Sequence, residues 1–225
     1  MRVQMILRAL GTIMAGAALA LGSAAASATG ASAADKPVAI VALGDSLTAG
    51  LGLAAGETFP AKLAKALAAK GIPATIANAG VSGDTTSGGL ARLDWSVPPE
   101  TEAVILELGA NDALRGIDPA VSRRALDTML RRLKERGIPV LLCGMLAPPN
   151  LGPDYARAFN AIYPELAKTY DAVLYPFFLE GVATNRRLNQ GDGIHPTAAG
   201  VDVIVTGILP KVEELIARAK AKRDK

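Results

Sequence analysis

The chain has 225 residues, of which 50% are hydrophobic and 20% charged, enough for one compact domain with a sizeable core and too apolar for a disordered or fibrous protein. It carries one cysteine and one histidine, which excludes an intrachain disulfide and a Cys/His-rich metal framework. The formal net charge is only +3, and a balance so close to neutral is no argument for a nucleic-acid partner.

The first segment reads as an export leader. Arg2 and Arg8 precede the apolar, small-residue stretch from Ala9 to Leu21, and Ala31-Ser32-Ala33 supplies a small-x-small cleavage pattern. Residues 1–33 are expected to be a signal peptide and 34–225 a single domain. The apolar stretch is shorter than the roughly 20 residues that cross a bilayer, so no stable membrane span is expected once the leader is removed. Residues 1–34 hold two arginines and no acid, so losing them lowers the net charge to +1.

Past the leader, short apolar runs alternate with helical patterns. Strands are expected at Val38 to Leu43, Ala74 to Asn78, Ala103 to Leu108, Val140 to Gly144 and Ala172 to Tyr175, all with little polar alternation, as in strands covered on both faces. Helices are expected at Thr58 to Lys70, Thr85 to Asp94, Pro119 to Arg136, Pro153 to Thr169 and from Pro196 onward. In the third, Val121, Ala125, Met129 and Leu133 recur every four residues beside Leu126 and Leu130. Asp118 is placed to cap its start and Gly137 to close it. Five βα repeats with short loops imply a five-stranded parallel sheet between helices, a three-layer α/β/α domain. The basic run Arg218 to Lys225 reads as a solvated helix end.

Ligands of such sheets bind beyond the carboxyl ends of the strands, and polar, glycine-rich turns cluster there. They are Gly44-Asp45-Ser46-Leu47-Thr48, Asn78 to Asp84, Gly109-Ala110-Asn111-Asp112, and Gly191 to Thr197 before the last helix. His195 is the chain's one imidazole, so any histidine-dependent proton transfer falls to it. Asp192, three positions earlier across a glycine, can orient one ring nitrogen while the other faces a nucleophile. Ser46, at a strand-to-helix turn, has the residue type and place for that nucleophile, since a hydroxyl reacts only when an adjacent base accepts its proton. Ser46, Gly83 and Asn111 can supply three donors to an oxyanion: two backbone N–H groups and one carboxamide.

Taken singly, these residues have ordinary structural readings. Asp45, Asp84 and Asp112 read as loop braces bonded to backbone N–H groups. Cys143 reads as a small core hydrophobe, and Trp95 as a packing residue that partly shields the surface. Ser46 to Gly50 at a helix start is also compatible with a phosphate or flavin cradle, a reading that leaves Asn111, Asp192 and His195 without a purpose.

The blocks Gly44-Asp45-Ser46-Leu47, Ser82-Gly83-Asp84, Gly109-Ala110-Asn111-Asp112 and Asp192-Gly193-Ile194-His195-Pro196, in that order, resemble the four signature blocks of the GDSL, or SGNH, hydrolase family. The resemblance implies a flavodoxin-like SGNH hydrolase fold with Ser46 as nucleophile and oxyanion donor, Gly83 and Asn111 completing the oxyanion hole, and Asp192 and His195 as orienter and base. Gly80 is a neighbouring candidate for the glycine role. The flanking segments VSGDTTSGGLARL, ILELGANDALRG, FNAIYPELA and LYPFFLE resemble the bacterial periplasmic subgroup of acyl-CoA thioesterases, lysophospholipases and arylesterases, in which the loop Ala113 to Asp118 borders the acyl groove. Ala110 departs from that pattern, where relatives often carry a second glycine. The resemblance implies a serine esterase or thioesterase acting on small acyl substrates without metal or organic cofactor, periplasmic or secreted. Carbohydrate O-acetyl esterase or acyltransferase chemistry on the same triad is the alternative.

Overall fold

The computed structural model describes residues 36–223; the expected leader lies outside them. Five parallel strands, β1 (Val38–Gly44), β2 (Ala74–Gly80), β3 (Ala103–Glu107), β4 (Val140–Cys143) and β5 (Val173–Tyr175), form a sheet in the order β2-β1-β3-β4-β5. All five fall where the sequence places them. β1, β3 and β4 are almost wholly buried, which explains their unbroken apolar composition. The edge strand β2 is more open.

The helices fall into two groups. α2 (Phe59–Ala69) packs on α9 (Ala198–Arg223), while α3 (Thr86–Ala91), α6 (Pro119–Glu135) and α8 (Ile162–Tyr170) pack together. α6 buries the expected stripe of Ala125, Leu126, Met129, Leu130 and Leu133. Asp118 caps it by accepting from the Ala120 N–H at 2.9 Å. Its exposed side carries the arginines. Among the described residues no helix is long and apolar enough to cross a membrane.

Two expected helices are each broken in two, for identifiable reasons. The segment from Pro153 splits into α7 (Pro153–Asn160) and α8, because Pro164 has no N–H to offer the carbonyl of Asn160 and its ring crowds that carbonyl. The segment from Thr85 splits at Arg92 into α3 and α4 (Leu93–Ser96), and Arg92 turns inward. Two short helices, α1 (Ser46–Ala49) and α5 (Ala110–Leu114), follow β1 and β3 directly. Each is a single turn, too short for a hydrophobic period to register.

Within its described part, up to Arg223, the basic run keeps exposed side chains such as Lys222 but is also tied to the fold. Arg218 donates to the Asp171 carbonyl at 2.5 Å, Lys222 to the Gly137 carbonyl at 2.6 Å, and Arg223 to the carbonyls of Lys36 and Pro37 and to Glu102. These cations staple α9 across the amino edge of the sheet.

Candidate active site

The parallel register aligns the last residues of the strands. Gly80, Gly44, Glu107, Cys143 and Tyr175 form one row at the carboxyl edge. The polar turns of the sequence lie just beyond that row. Ser46 opens α1 and His195 comes from the loop before α9. The Ser46 Oγ and His195 Nε2 atoms are 2.8 Å apart, and His195 Nδ1 lies 2.6 Å from Asp192 Oδ2. The other Asp192 oxygen accepts the N–H groups of Ile194 and His195 at 2.9 and 3.0 Å. One tight turn thus fixes the carboxylate and the ring it faces. Those bonds, the Ile194 N–H first, hold the Asp192 carboxyl down at about 2 although its side chain is 45% exposed.

Ser46, Gly83, Asn111 and His195 line one open cleft of about 210 Å³, walled by Leu47, Leu51, Leu114, Leu179 and Ile194. Gly83 has φ +85°, a left-handed conformation suited to glycine. Gly80 is a packing position instead: a Cβ there would lie 2.2 Å from the Ala49 backbone nitrogen, and it does not line the cleft. Ser46 is the first residue of α1, so its N–H lacks an intrahelical acceptor. The Asn111 carboxamide nitrogen donates to Asp45 Oδ2 at 3.1 Å and to the Asp84 carbonyl at 2.9 Å. Those bonds fix the carboxamide and engage both its donors.

The three loop aspartates act differently from one another. Asp45 caps α1 through the Leu47 N–H at 3.0 Å and holds Asn111. Asp112 is buried and accepts from the N–H and hydroxyl of Thr86 and from the Ser122 hydroxyl. Asp84 departs from the backbone bracing expected of it, because its carboxylate is engaged by Arg92 Nε at 2.5 Å. Cys143 is buried, as expected, whereas Trp95 is 73% exposed and shields little.

Two residues that sequence reasoning passed over support this edge. Arg92, 6% exposed, also donates to the Ala79 carbonyl, the Ser96 hydroxyl and the Gly44 carbonyl. One guanidinium thereby joins the ends of β1 and β2 to the loop carrying Gly83. Glu107 is fully buried beneath the Ser46 turn, accepting from the Thr48 hydroxyl at 2.7 Å and, more weakly, from the Asp45 N–H at 3.4 Å. Its second oxygen has no hydrogen-bond partner. Burial, with the neighbouring Asp45 charge second, pushes the Glu107 carboxyl well above the usual carboxylate range. The sequence signal for both was a charged side chain inside an otherwise buried pattern.

The family model described as GDSL-like Lipase/Acylhydrolase matches residues 42–203, which span all four loops. The chain belongs to this family. The chain is 40% identical over 178 residues to the esterase TesA of Pseudomonas aeruginosa, covering 79% of this chain and 89% of that one. It is 37% identical over 178 residues to the thioesterase 1/protease 1/lysophospholipase L1 of Escherichia coli, covering 79% and 84%. Among solved structures, AlinE4, an SGNH-hydrolase family esterase, is 52% identical with a TM-score of 0.68, covering 80% of this chain and 96% of that one. A crystal structure of TesA gives a TM-score of 0.75 at 40% identity, covering 79% and 99%. The α/β architecture is that of these SGNH hydrolases. Among the described residues no cluster of three or more His, Cys, Asp or Glu is placed to hold a metal ion.

Proposed function

We propose that this GDSL-family enzyme hydrolyses carboxylic esters and thioesters through an acyl-enzyme on Ser46, with Asp192 and His195 as its proton relay. The carrying observation is the continuous line of short contacts from Asp192 Oδ2 to His195 to the Ser46 hydroxyl. Ser46 Oγ attacks the acyl carbonyl while His195 Nε2 takes its proton and passes it to the departing alcohol or thiol. Water then repeats the sequence on the acyl-enzyme. The Asp192 carboxylate keeps Nδ1 protonated and steadies the imidazolium.

The oxyanion that forms meets the N–H groups of Ser46 and Gly83 on the cleft wall, and Asn111 joins them by giving up one of its two present acceptors to the incoming oxygen. The apolar cleft wall favours a hydrocarbon acyl group over an acetylated sugar, whose hydroxyls would face leucine and isoleucine. Aryl esters, acyl-CoA thioesters and lysophospholipids are the substrate classes we propose, in line with relatives named arylesterase and thioesterase 1/protease 1/lysophospholipase L1. The N-terminal pattern supports export, with residues 1–33 as the leader and the remainder as one catalytic domain outside the cytoplasm. Hydrolysis of p-nitrophenyl butyrate by the purified protein, and its loss by at least about 10⁴-fold in Ser46→Ala, is the expected result. Equal activity in that variant overturns the assignment.

A further inference from the structure

Glu107 ends β3 with its carboxyl fully buried against α1. The ionisable groups facing it are another carboxyl, Asp45, and the Cys143 thiol, and one of its own oxygens is unpaired. Burying a carboxyl in that state costs stability, so its presence calls for a reason other than packing. The bonded oxygen supplies one. It accepts from the Thr48 hydroxyl and the Asp45 N–H, on either side of Ser46 in the chain. α1 itself is closed by two backbone bonds, from the Ala49 N–H to the Asp45 carbonyl at 2.9 Å and from the Gly50 N–H to the Ser46 carbonyl at 3.0 Å. So short a helix cannot hold its own geometry, and its seat on the sheet must come from contacts such as that of the fully buried Thr48. Gly44, the register neighbour of Glu107, makes that contact possible. A Cβ at Gly44 would lie 2.6 Å from Glu107 Oε2 and closer still to Thr48 Oγ1, so bare backbone is what lets the carboxyl reach the helix.

We propose that Glu107 is a positioning residue for ester hydrolysis: it holds α1 by the Thr48 hydroxyl across Gly44 and thereby aims the Ser46 hydroxyl and N–H at the acyl carbonyl. The role rests on the reading of Ser46 as nucleophile. Hydrogen bonds are directional, so a small tilt of α1 spoils both the 2.8 Å contact of Ser46 with His195 and the aim of the Ser46 N–H. Apolar contacts with the cleft wall are not directional and tolerate the same tilt. Loss of the seat therefore falls on kcat and spares KM. Burial, with the Asp45 charge second, raises the Glu107 carboxyl, which favours the neutral acid, the form that glutamine imitates in shape and charge.

The test is steady-state hydrolysis of p-nitrophenyl butyrate by variants of both partners, at a temperature where circular dichroism shows each to be folded. Thr48→Val keeps the shape and removes the hydroxyl; kcat should fall by about 10–100-fold with KM within about twofold. Thr48→Ser, which keeps the hydroxyl, should restore most of the rate. Glu107→Leu should match Thr48→Val, Glu107→Gln should stay within about threefold of the parent, and the double variant Thr48→Val/Glu107→Leu should be little worse than either single change. Should Glu107→Leu fail to fold, the Val and Ser variants at position 48 and Glu107→Gln decide the matter. Full kcat in Thr48→Val, a loss confined to KM, a Glu107→Gln variant as slow as Thr48→Val, or multiplying effects in the double variant would each overturn the proposal. Ser46→Ala in the same assay separates the two readings. If Ser46→Ala is inactive while Thr48→Val keeps full activity, the positioning role alone falls; if Ser46→Ala is as active as the parent, the hydrolytic reading falls and takes this role with it.

Discussion

Asp45 and Asp192 each stand within three residues of a side chain of the proposed relay, Ser46 and His195, in opposite surroundings. Asp45 is fully buried, and desolvation, partly offset by the Leu47 N–H and Asn111, pushes its carboxyl up to about 6. Asp192 is close to half exposed and is held at about 2 by bonds made within its own turn. The Ser46 side of the site thus rests on a dense interior of Asp45, Glu107 and Arg92, whereas the His195 side is a loop organised by one carboxylate. Changes on the first side should register in stability as well as rate, and changes on the second mainly in rate.

The largest expected effect on the exposed side is that of Asp192→Asn. The amide can still accept the Ile194 and His195 N–H groups, so Tm should fall only by the modest, solvent-screened contribution of the exposed charge, but it cannot hold the imidazolium, and kcat should fall by about 10³–10⁴-fold. A large drop in Tm would show that the loop depends on the charge itself. On the buried side, Arg92→Met leaves Asp84 without its cation and frees three further acceptors, and should lower unfolding free energy by about 3 kcal/mol, measured by urea denaturation. A stable variant with full activity would remove Arg92 from the support of the site.

The pH dependence separates the two sides again. A buried acid whose folded pKa is raised binds its proton more tightly in the folded state. The Asp45 contribution should therefore make stability fall as pH rises from about 4 to about 6 and level off above, by at most about 3 kcal/mol. Asp45→Asn should flatten that slope in chemical denaturation series. Asp192 has the opposite sign: its contribution is present above its unfolded value and is lost only as pH falls through about 2. Asp192 therefore stays ionised throughout the range in which Asp45 takes up its proton. The smallest effect expected is that of Leu114→Ala on the cleft rim, a several-fold rise in KM for p-nitrophenyl octanoate with kcat little changed.

The candidates Ser46, Gly83, Asn111, Asp192 and His195, which the fold brings close together, stand out in the sequence because each lies in a polar, glycine-rich turn just past a strand or before a helix, where a burial pattern is interrupted. The strands were legible because burial on both faces leaves a composition that few other elements share. Arg92 and Glu107 are obscured for the converse reason: each lies inside an apolar pattern, and only the fold shows that Arg92 reaches three chain segments and that Glu107 sits beneath the Ser46 turn. The breaks at Arg92 and Asn160 were missed because a helical period runs through both, and it takes the inward turn of one arginine and the missing N–H of Pro164 to interrupt it. The cations at the end of α9 read as surface charge because their partners, backbone carbonyls and the Glu102 carboxylate among them, are distant in sequence, which no local pattern can reveal.

Arg223 brings the last described turn of α9 against the carbonyls of Lys36 and Pro37, so the first and last described residues are neighbours at the sheet edge opposite the cleft. β1 spans seven residues between that edge and the Ser46 turn, about 20 Å of extended chain. A circular permutant joining residues 36 and 223 through a short glycine-serine bridge should keep the Ser46–His195 contact, and immobilisation on a support through that edge should leave the cleft mouth facing bulk solvent.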